Sequence, residues 1–552
     1  MNTRRFAILM VALLVVLAGL WAVDQSVAEP GKPHPERPTR KPTKTKKLHP
    51  NPSDTPTSTI TPTLTLTPTN TLEPTDTTIP LTATDTPLSP TATDTPPAPT
   101  DTSTPVPPTD TPAPPTPTFT PVSGDVFYVS PSGSDSGGNG SRSNPWRTVG
   151  YALSHGPSGG GFTVLMMDGQ YPAIHNSPEF ASPVTVQAEH DYRAIIVNEG
   201  STPIQFGGGS YNLTISGLEI RGGSGSQAYA LVYLYRVSNL TIDNCIIHDS
   251  YNNDLMRVLH SPGPVTVQNS LFYNPELPEE HIDINGGSQN VTVRGNVFFN
   301  DYAGTTSRPL ILVKTSNLTE DGITRHITID GNVFLGRDSG ANQPDLNVGG
   351  DDKTWYTAQD VTVQNNLFVA LDGSNVGYPV QLTGSRDVTI RANTMRGPWA
   401  AFGKAVGGGS RPVCENVQYT NNIFLDDDPE RFLDGDSGEI AGSGLANNLY
   451  WQAPPVTSGD ALNYTDDARR IVADPLLSGG MGYTPPTWDG QRFAGGYAHI
   501  QDVREAFVTA WAVPGAGSPA IDAASADMPG HDILGHARTG AGDVGAVEVS
   551  FR

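Results

Sequence analysis

Three charged side chains of mixed sign, Arg257, Asp283 and Lys314, fall at similar places in three successive stretches of this 552-residue chain. His281 and Asn285 flank the aspartate, and Tyr233 and Tyr235 precede the set. Such residues suit two kinds of chemistry. Uronate β-elimination needs a cation to neutralise a carboxylate and a base to take the proton beside it. A Lys or Arg serves as that base when its neighbours depress its pKa. Glycoside hydrolysis needs two carboxyl groups, about 5–5.5 Å apart for retention or about 6.5–9.5 Å for inversion. Asp283 is the leading carboxylate here, with Glu279, Glu280, Asp345, Asp351 and Asp352 as candidate partners. Arg257, Asp283 and Lys314 also read as a plain ladder of ion pairs, since a charged cluster is only a probabilistic sign of function.

The elements that must position these residues repeat. LTISGLEI starts at Leu213, LTIDNCII at Leu240, VTVQNSLF at Val265, VTVRGNVF at Val291 and ITIDGNVF at Ile327. VTVQNNLF follows at Val361, VTIRANTM at Val388, VQYTNNIF at Val417 and SGLANNLY at Ser443. The starts are 27, 25, 26, 36, 34, 27, 29 and 26 residues apart, the period of a solenoid. Strict alternation with β-branched residues makes the repeat β. Position eight is apolar throughout, from Ile220 to Tyr450, and should stack into an interior column. Position six is Asn in six units: Asn296, Asn332, Asn366, Asn393, Asn422 and Asn448. Asn tolerates left-handed backbone and can bond a like neighbour, so a ladder at a sharp turn is expected. A second strand precedes each unit, as in HIDING (281–286), PLILVK (309–314) and PVQLTG (379–384). Three short strands per coil predict an all-β parallel β-helix of roughly ten coils, in which equivalent residues stand ~4.8 Å apart.

The chain resembles the right-handed parallel β-helix proteins of the pectate-lyase-like superfamily. FYVSPSGSDSGGNGSRSNPWRTVGYAL (127–153) and TVLMMDGQY (163–171) look like their first strand, capping helix and first coil. SPAID (518–522), DILGHAR (532–538) and DVGAVE (543–548) are similar to the ending of many secreted bacterial members. The resemblance implies that a glycan lies along the strand before each turn unit. That face offers Tyr233, Tyr235, Asn285, Asn347 and Gln381 for binding, and Arg257, His281, Asp283 and Lys314 for catalysis. ILVKTSN (311–317) resembles the strand end that carries the base lysine in some alginate- and chondroitin-cleaving members, at Lys314. Two departures stand against it. Ser307 and Pro309 occupy the places of acidic calcium ligands, and LNVGG (346–350) lacks the next coil's arginine. If Leu310 and Leu312 point inward, Lys314 also shares their side. The GHG motif of polygalacturonases is absent as a set.

A net charge of −23 argues against nucleic-acid binding, which needs Lys and Arg on phosphates. Residues 1–28 read as an export signal: Arg4 and Arg5, an apolar run over 6–23, then Ser26-Val27-Ala28. An uncleaved signal would be the chain's membrane anchor. A basic Pro-rich segment follows over 29–50, and a Thr/Pro-rich, disordered stalk over 51–122. The body, 123–552, carries −22 of the net charge, because 1–122 holds nine basic and ten acidic residues. The expectation is a secreted or cell-surface monomer whose partner is a polysaccharide. It either cleaves the glycan as a lyase or hydrolase, or binds it without turnover. No cofactor is required. Ca²⁺ is the one ion that clustered acidic residues such as Asp426, Asp427, Asp428, Asp434 and Asp436 suggest, although no metal-ligand set is assigned. His248, His260 and His326 are isolated. Cys245 and Cys414 lie six coil steps apart and should not pair, with Cys414 the more accessible.

Overall fold

The computed structural model describes residues 124–549, apart from 198, 224–228, 251–252, 276–278, 301–307, 319–321, 337–342, 371–376, 427–430, 437, 453, 457–459, 461 and 480–483. The signal, basic segment and stalk lie outside the described residues, as do Ser307, Asp427 and Asp428. No helix among the described residues is long and apolar enough to cross a membrane.

Every coil contributes strands to parallel sheets that run the length of the molecule. The first sheet passes through Asp254–Leu259, Ile282–Asn285, Ile311–Val313, Pro344–Gly349, Tyr378–Thr383, Gly403–Val406 and Leu433–Asp434. The second holds the Val-Thr-Val segments, including Val265–Gln268, Gln289–Arg294, Thr324–Asp330, Ala358–Gln364 and Ser385–Arg391. Two long early strands, Ile204–Ser216 and Ala230–Asp243, run unbroken through both. Among the described residues the third sheet has 12 strands, from Gly169–Tyr171 to Ile471–Val472. The fold is therefore the expected parallel β-helix.

The repeat explains the register. Val265, Val291, Ile327, Val361, Val388 and Val417 align one above another and point inward. At position eight, Phe272, Phe298, Phe334 and Phe368 stack with centroids 5.1, 5.1 and 4.5 Å apart. Each such buried ring contributes about 1.5–3 kcal/mol relative to exposure.

The asparagine ladder is present, but its backbone differs from expectation. The left-handed residue is position five: Asn269, Gly295, Gly331, Asn365, Ala392, Asn421 and Asn447 all have φ between 51° and 67°. Position six supplies hydrogen bonds instead. Asn332 Nδ2 donates to Asn366 Oδ1 at 3.0 Å, and Asn366 Nδ2 donates to Asn393 Oδ1 at 3.0 Å. Each Oδ1 also accepts from the backbone N–H of the residue one coil back, as Asn366 Oδ1 does from Asn332 N at 2.9 Å. The ladder ends on Asp467, whose Oδ2 accepts from Asn448 N and Nδ2 at 2.9 and 3.0 Å. Asn212, Asn239 and Asn290, each in an Asn-x-Thr triplet, are left-handed residues within their strands, one place before the aligned Leu213, Leu240 and Val291, with φ of 47–53°.

Helix α1 (Val149–His155) closes the N-terminal end. Thr148 caps it by accepting from Tyr151 N, and Val149, Ala152 and Leu153 are buried. Residues after Val472 turn back along the outside of the third sheet. There helix α2 (Ile500–Trp511) and the segments around Phe493, Ile533 and Val547 pack on Leu271, Val297, Val333 and Leu367. Both cysteines are unpaired and fully buried, so Cys414 is not the accessible thiol expected. Burial pushes the Cys245 thiol up to about 12.

Candidate functional site

The outer face of the first sheet carries one row of side chains in strict register. It runs Gln205, Tyr233, Arg257, Asp283, Leu312, Asn347, Gln381, Lys404, Asp434. Ile311 and Val313 pair with Ile282 and Ile284 in the core, so Leu312 faces outward with Asp283. Lys314 therefore also lies on the outer side, beside Asn285, and its backbone N–H donates to Ile284 O at 2.9 Å. The parity difficulty came from assigning both Leu310 and Leu312 to the core. Leu312 is outward and only 3% exposed.

Arg257 and Asp283 meet across adjacent coils, with Nε 3.3 Å from Oδ2. Arg257 Nη2 also stands 2.5 Å from Asp254 Oδ2. Neither contact has hydrogen-bond alignment, and Asp254 Oδ2, Asp283 Oδ1 and Arg257 Nε have no hydrogen-bond partner among the described residues. Lys314 does not extend this ladder. Its Nζ reaches Asp351 Oδ1 at 3.3 Å, so the expected three-coil alternation stops at two.

Beside the row lies a carboxyl cluster. Asp254, Glu279 and Glu280 each offer an oxygen, all within 4.8 Å of one another. Asp254 and Glu280 are buried, and the Glu280 N–H donates to Asp254 Oδ1 at 3.1 Å. Burial and the neighbouring Asp254 push the Glu280 carboxyl up to about 9. Burial and Asp254 push Asp283 up to about 6, against the pull of Arg257 and Lys314. Asp254 is raised mainly by burial. The Asp254 and Glu280 shifts have the same cause, two carboxyl groups buried side by side. Arg308 Nη1 lies 3.7 Å from Glu280 Oε1.

The remaining candidates divide. Tyr233 and Tyr235 are outward and stacked, with centroids 6.3 Å apart, and Tyr229 stacks on Tyr233 at 4.4 Å. Burial and Tyr229 raise the Tyr233 phenol to about 12. Asn347 and Gln381 are joined through Thr383, whose hydroxyl donates to Asn347 Oδ1 at 3.3 Å and accepts from Gln381 Nε2 at 3.0 Å. Asn285 turns into the wall. Its Oδ1 accepts from Gly286 N and Ser316 N, and its Nδ2 donates to Ser316 Oγ at 3.1 Å. His281 is not on the groove face. It sits before the strand proper, 1% exposed, with Nε2 3.0 Å from Phe299 O. Asp345 is likewise buried, and Asp352 pairs with Arg411. Among other aromatics near the row, Tyr273 and Trp399 are buried packing residues, and Tyr378 donates its hydroxyl to Asp434 Oδ2 at 2.7 Å.

Asp254 was missed in the sequence. It opens its strand three residues before Arg257, and only the coil register places it beside Glu280. A second ionic group, Lys404–Asp434–Arg431, closes the far end of the row, with Lys404 Nζ 3.2 Å and Arg431 Nη1 3.1 Å from Asp434.

Residues 191–334 match the family model described as the right handed beta helix region, and with its all-parallel sheets the chain is a right-handed parallel β-helix protein. Among solved structures it is similar to pectate lyase Pel9A, at 14% identity and a TM-score of 0.47, covering 77% of this chain and 97% of that one. An alginate lyase from Paenibacillus sp. str. FPU-7 is similar at 15% identity and a TM-score of 0.39, covering 53% and 95%. The A-module of an Azotobacter vinelandii mannuronan C-5 epimerase is similar at 16% identity and 0.40, covering 57% and 92%. No curated protein sequence matches the chain.

Proposed function

We propose that the outer groove of the first sheet holds an acidic polysaccharide and cleaves it by β-elimination, with Lys314 as the proton acceptor. The observation that supports this most is the position of Lys314. It stands at a strand end on the groove side, 13% exposed at its side chain, beside the row that carries Arg257 and Asp283. In the reaction the base removes the proton next to the uronate carboxylate. The electron pair forms a carbon–carbon double bond, the glycosidic C–O bond breaks, and the leaving oxygen takes up a proton. Tyr233 and Tyr235 would face the sugar rings, and Asn347 and Gln381 would bond their hydroxyls.

Hydrolysis suits the site less well. The carboxyl groups with raised pKa are buried and crowded together, with Arg257 and Arg308 against them, so they cannot flank a glycosidic bond. The same crowding suits a divalent cation. Three oxygen donors converge, and Asp254 Oδ2 and Asp283 Oδ1 are buried without hydrogen-bond partners among the described residues. Asp254, Glu279 and Glu280 would hold Ca²⁺, which supplies positive charge beside an acidic sugar.

The pairing of Lys314 with Asp351 and of Arg257 with Asp254 and Asp283 favours a second reading, a groove that binds glycan without turnover. One experiment separates the two. The full chain is incubated with polygalacturonate, alginate and neutral glycans, with and without Ca²⁺, and the ultraviolet absorbance of unsaturated products is followed. Lys314→Ala should lower turnover at least about 100-fold while glycan binding persists. Binding by the unmodified chain with no product from any uronate sinks the lyase reading and leaves the binder.

A further inference from the structure

Where the returning tail passes the first coils, over residues 488–500, it covers a charge group on the third sheet. Glu219 opens one strand of that sheet (Glu219–Arg221) and His248 ends the next (Ile246–His248), with side chains 8% and 7% exposed. His248 Nε2 stands 3.5 Å from Glu219 Oε1, and Arg221 Nε stands 3.1 Å from the same oxygen. Asp249 follows His248 with φ of 52°, and its Oδ2 lies 2.7 Å from His248 Nδ1. On the next coil the Tyr273 ring stacks on the imidazole at 4.6 Å, and Asn274 Nδ2 donates to Asp249 Oδ1 at 3.0 Å. The tail closes the group from outside, where Trp488 Nε1 donates to Glu219 Oε2 at 3.1 Å.

Two carboxylates and two cations leave this group neutral only while the imidazole carries its proton. Burial pulls the imidazole pKa down, but Asp249 and Glu219 outweigh it and hold the pKa above the ordinary 6.5. Loss of that proton leaves Glu219 sealed beneath Trp488 with Arg221 as its remaining cation among the described residues, and a buried charge stripped of a partner is costly. Asp249 and Arg221 are half-exposed and meet water in either state, whereas Glu219 regains water only if the tail lifts. The rest of the seat is small. Trp488 and Phe493 pack edge-on against Tyr192 at 5.2 and 5.6 Å, Gly490 O accepts from Arg193, His499 Nδ1 lies 3.5 Å from Asp191 Oδ2, and Ile500 N donates to Tyr192 Oη at 3.4 Å.

We infer that residues 488–500 form a proton-dependent latch, seated while His248 is an imidazolium and lifting from the first coils as it is neutralised. The sense follows from linkage. The contribution of His248 to the docked state is complete below about pH 6.5 and is lost as pH rises through its higher folded value.

Hydrogen–deuterium exchange of the full chain, read by mass spectrometry at about pH 6 and about pH 8.5 with times scaled for the intrinsic rate, tests the latch. Protection over 488–500, relative to the coil strands Gln289–Arg294 and Thr324–Asp330, should fall at least about ten-fold at the higher pH. His248→Gln should leave the segment weakly protected at both pH values. Glu219→Gln removes the charge that needs compensation and keeps an acceptor for Trp488, so the segment should stay protected at both. Asp249→Asn changes a half-exposed side chain and serves if His248→Gln disturbs the fold. It should move the loss of protection to lower pH, which a merely structural role would not do. Equal relative protection at both pH values in the unmodified chain overturns the latch. So does a loss of protection that survives His248→Gln, whether or not His499→Gln then removes it.

Discussion

Glu280 has the clearest consequence at the scale of single residues. Its folded pKa, about 9, stands above the ordinary 4.5 of a glutamate, so the folded state holds the proton more tightly than the unfolded chain. The stability it contributes is complete below about pH 4.5 and is lost as pH rises through 9. Asp283 acts in the same sense up to about pH 6. The melting midpoint should therefore fall between pH 5 and 9, and Glu280→Gln should flatten that fall. Ca²⁺ should raise the midpoint more at pH 8 than at pH 5, and this increment should vanish in Glu280→Gln; a pH-independent increment would move the ion elsewhere. Some of the site was legible in sequence. Arg257 and Asp283 carry charge at equivalent strand positions, and they meet as the repeat implied. Lys314 was harder to place, because Leu312 is an apolar residue on an outward position and breaks the alternation that assigns faces. His281 shares the parity of Asp283 but precedes the strand, where parity no longer determines direction.

At the scale of elements, the turn between the second and third sheets divides its work between two adjacent residues. Position five takes the left-handed backbone, and position six satisfies buried N–H groups from coil to coil. The Asn run made the ladder readable, whereas the conformational role went to the wrong residue because Asn suits both tasks. Asn366→Ala would remove the acceptor of Asn332 N and Nδ2 and the donor to Ile329 O. Stranded buried groups cost about 1–3 kcal/mol each, so a loss of about 2–4 kcal/mol is expected. Chemical denaturation of the variant measures it, and a loss below about 0.5 kcal/mol would mean that water satisfies the turn. In the third-sheet strands the repeat marks position eight as the interior column. Positions seven and nine, as in Leu271 and Tyr273 or Val297 and Phe299, are apolar too. The reason lies some 200 residues away in sequence, in the tail that covers them, and no local period can reveal it.

At the scale of the whole molecule, the coils bury their own columns and the C-terminal segments cover the third sheet. A chain beginning at Ser123 should melt at the same midpoint as the longer one, because the coils bury their own columns. A chain ending at Val472 should aggregate or melt many degrees lower, since the outer face of the third sheet would lose Ile500, Val503, Trp511, Ile533 and Val547. Equal solubility and midpoint would contradict that role. The tail also ties distant coils together. Gly490 O accepts from Arg193, Trp488 Nε1 donates to Glu219 Oε2 at 3.1 Å, Arg504 Nη1 donates to Gly331 O at 3.4 Å, and Arg538 Nη2 donates to Asn365 Oδ1 at 3.1 Å. Ala546 N reaches Thr394 Oγ1 at 3.1 Å, and Asn447 Nδ2 reaches Ala523 O at 2.8 Å. A bare solenoid touches only its neighbours and would peel one turn at a time under tension. Here the returning tail acts as a splint, so a load entering at residue 124 is shared across the stack instead of being borne by the first coil. Pulled end to end in a force spectrometer, the protein should yield in one large rupture, while the form ending at Val472 should give way in a staircase of small steps.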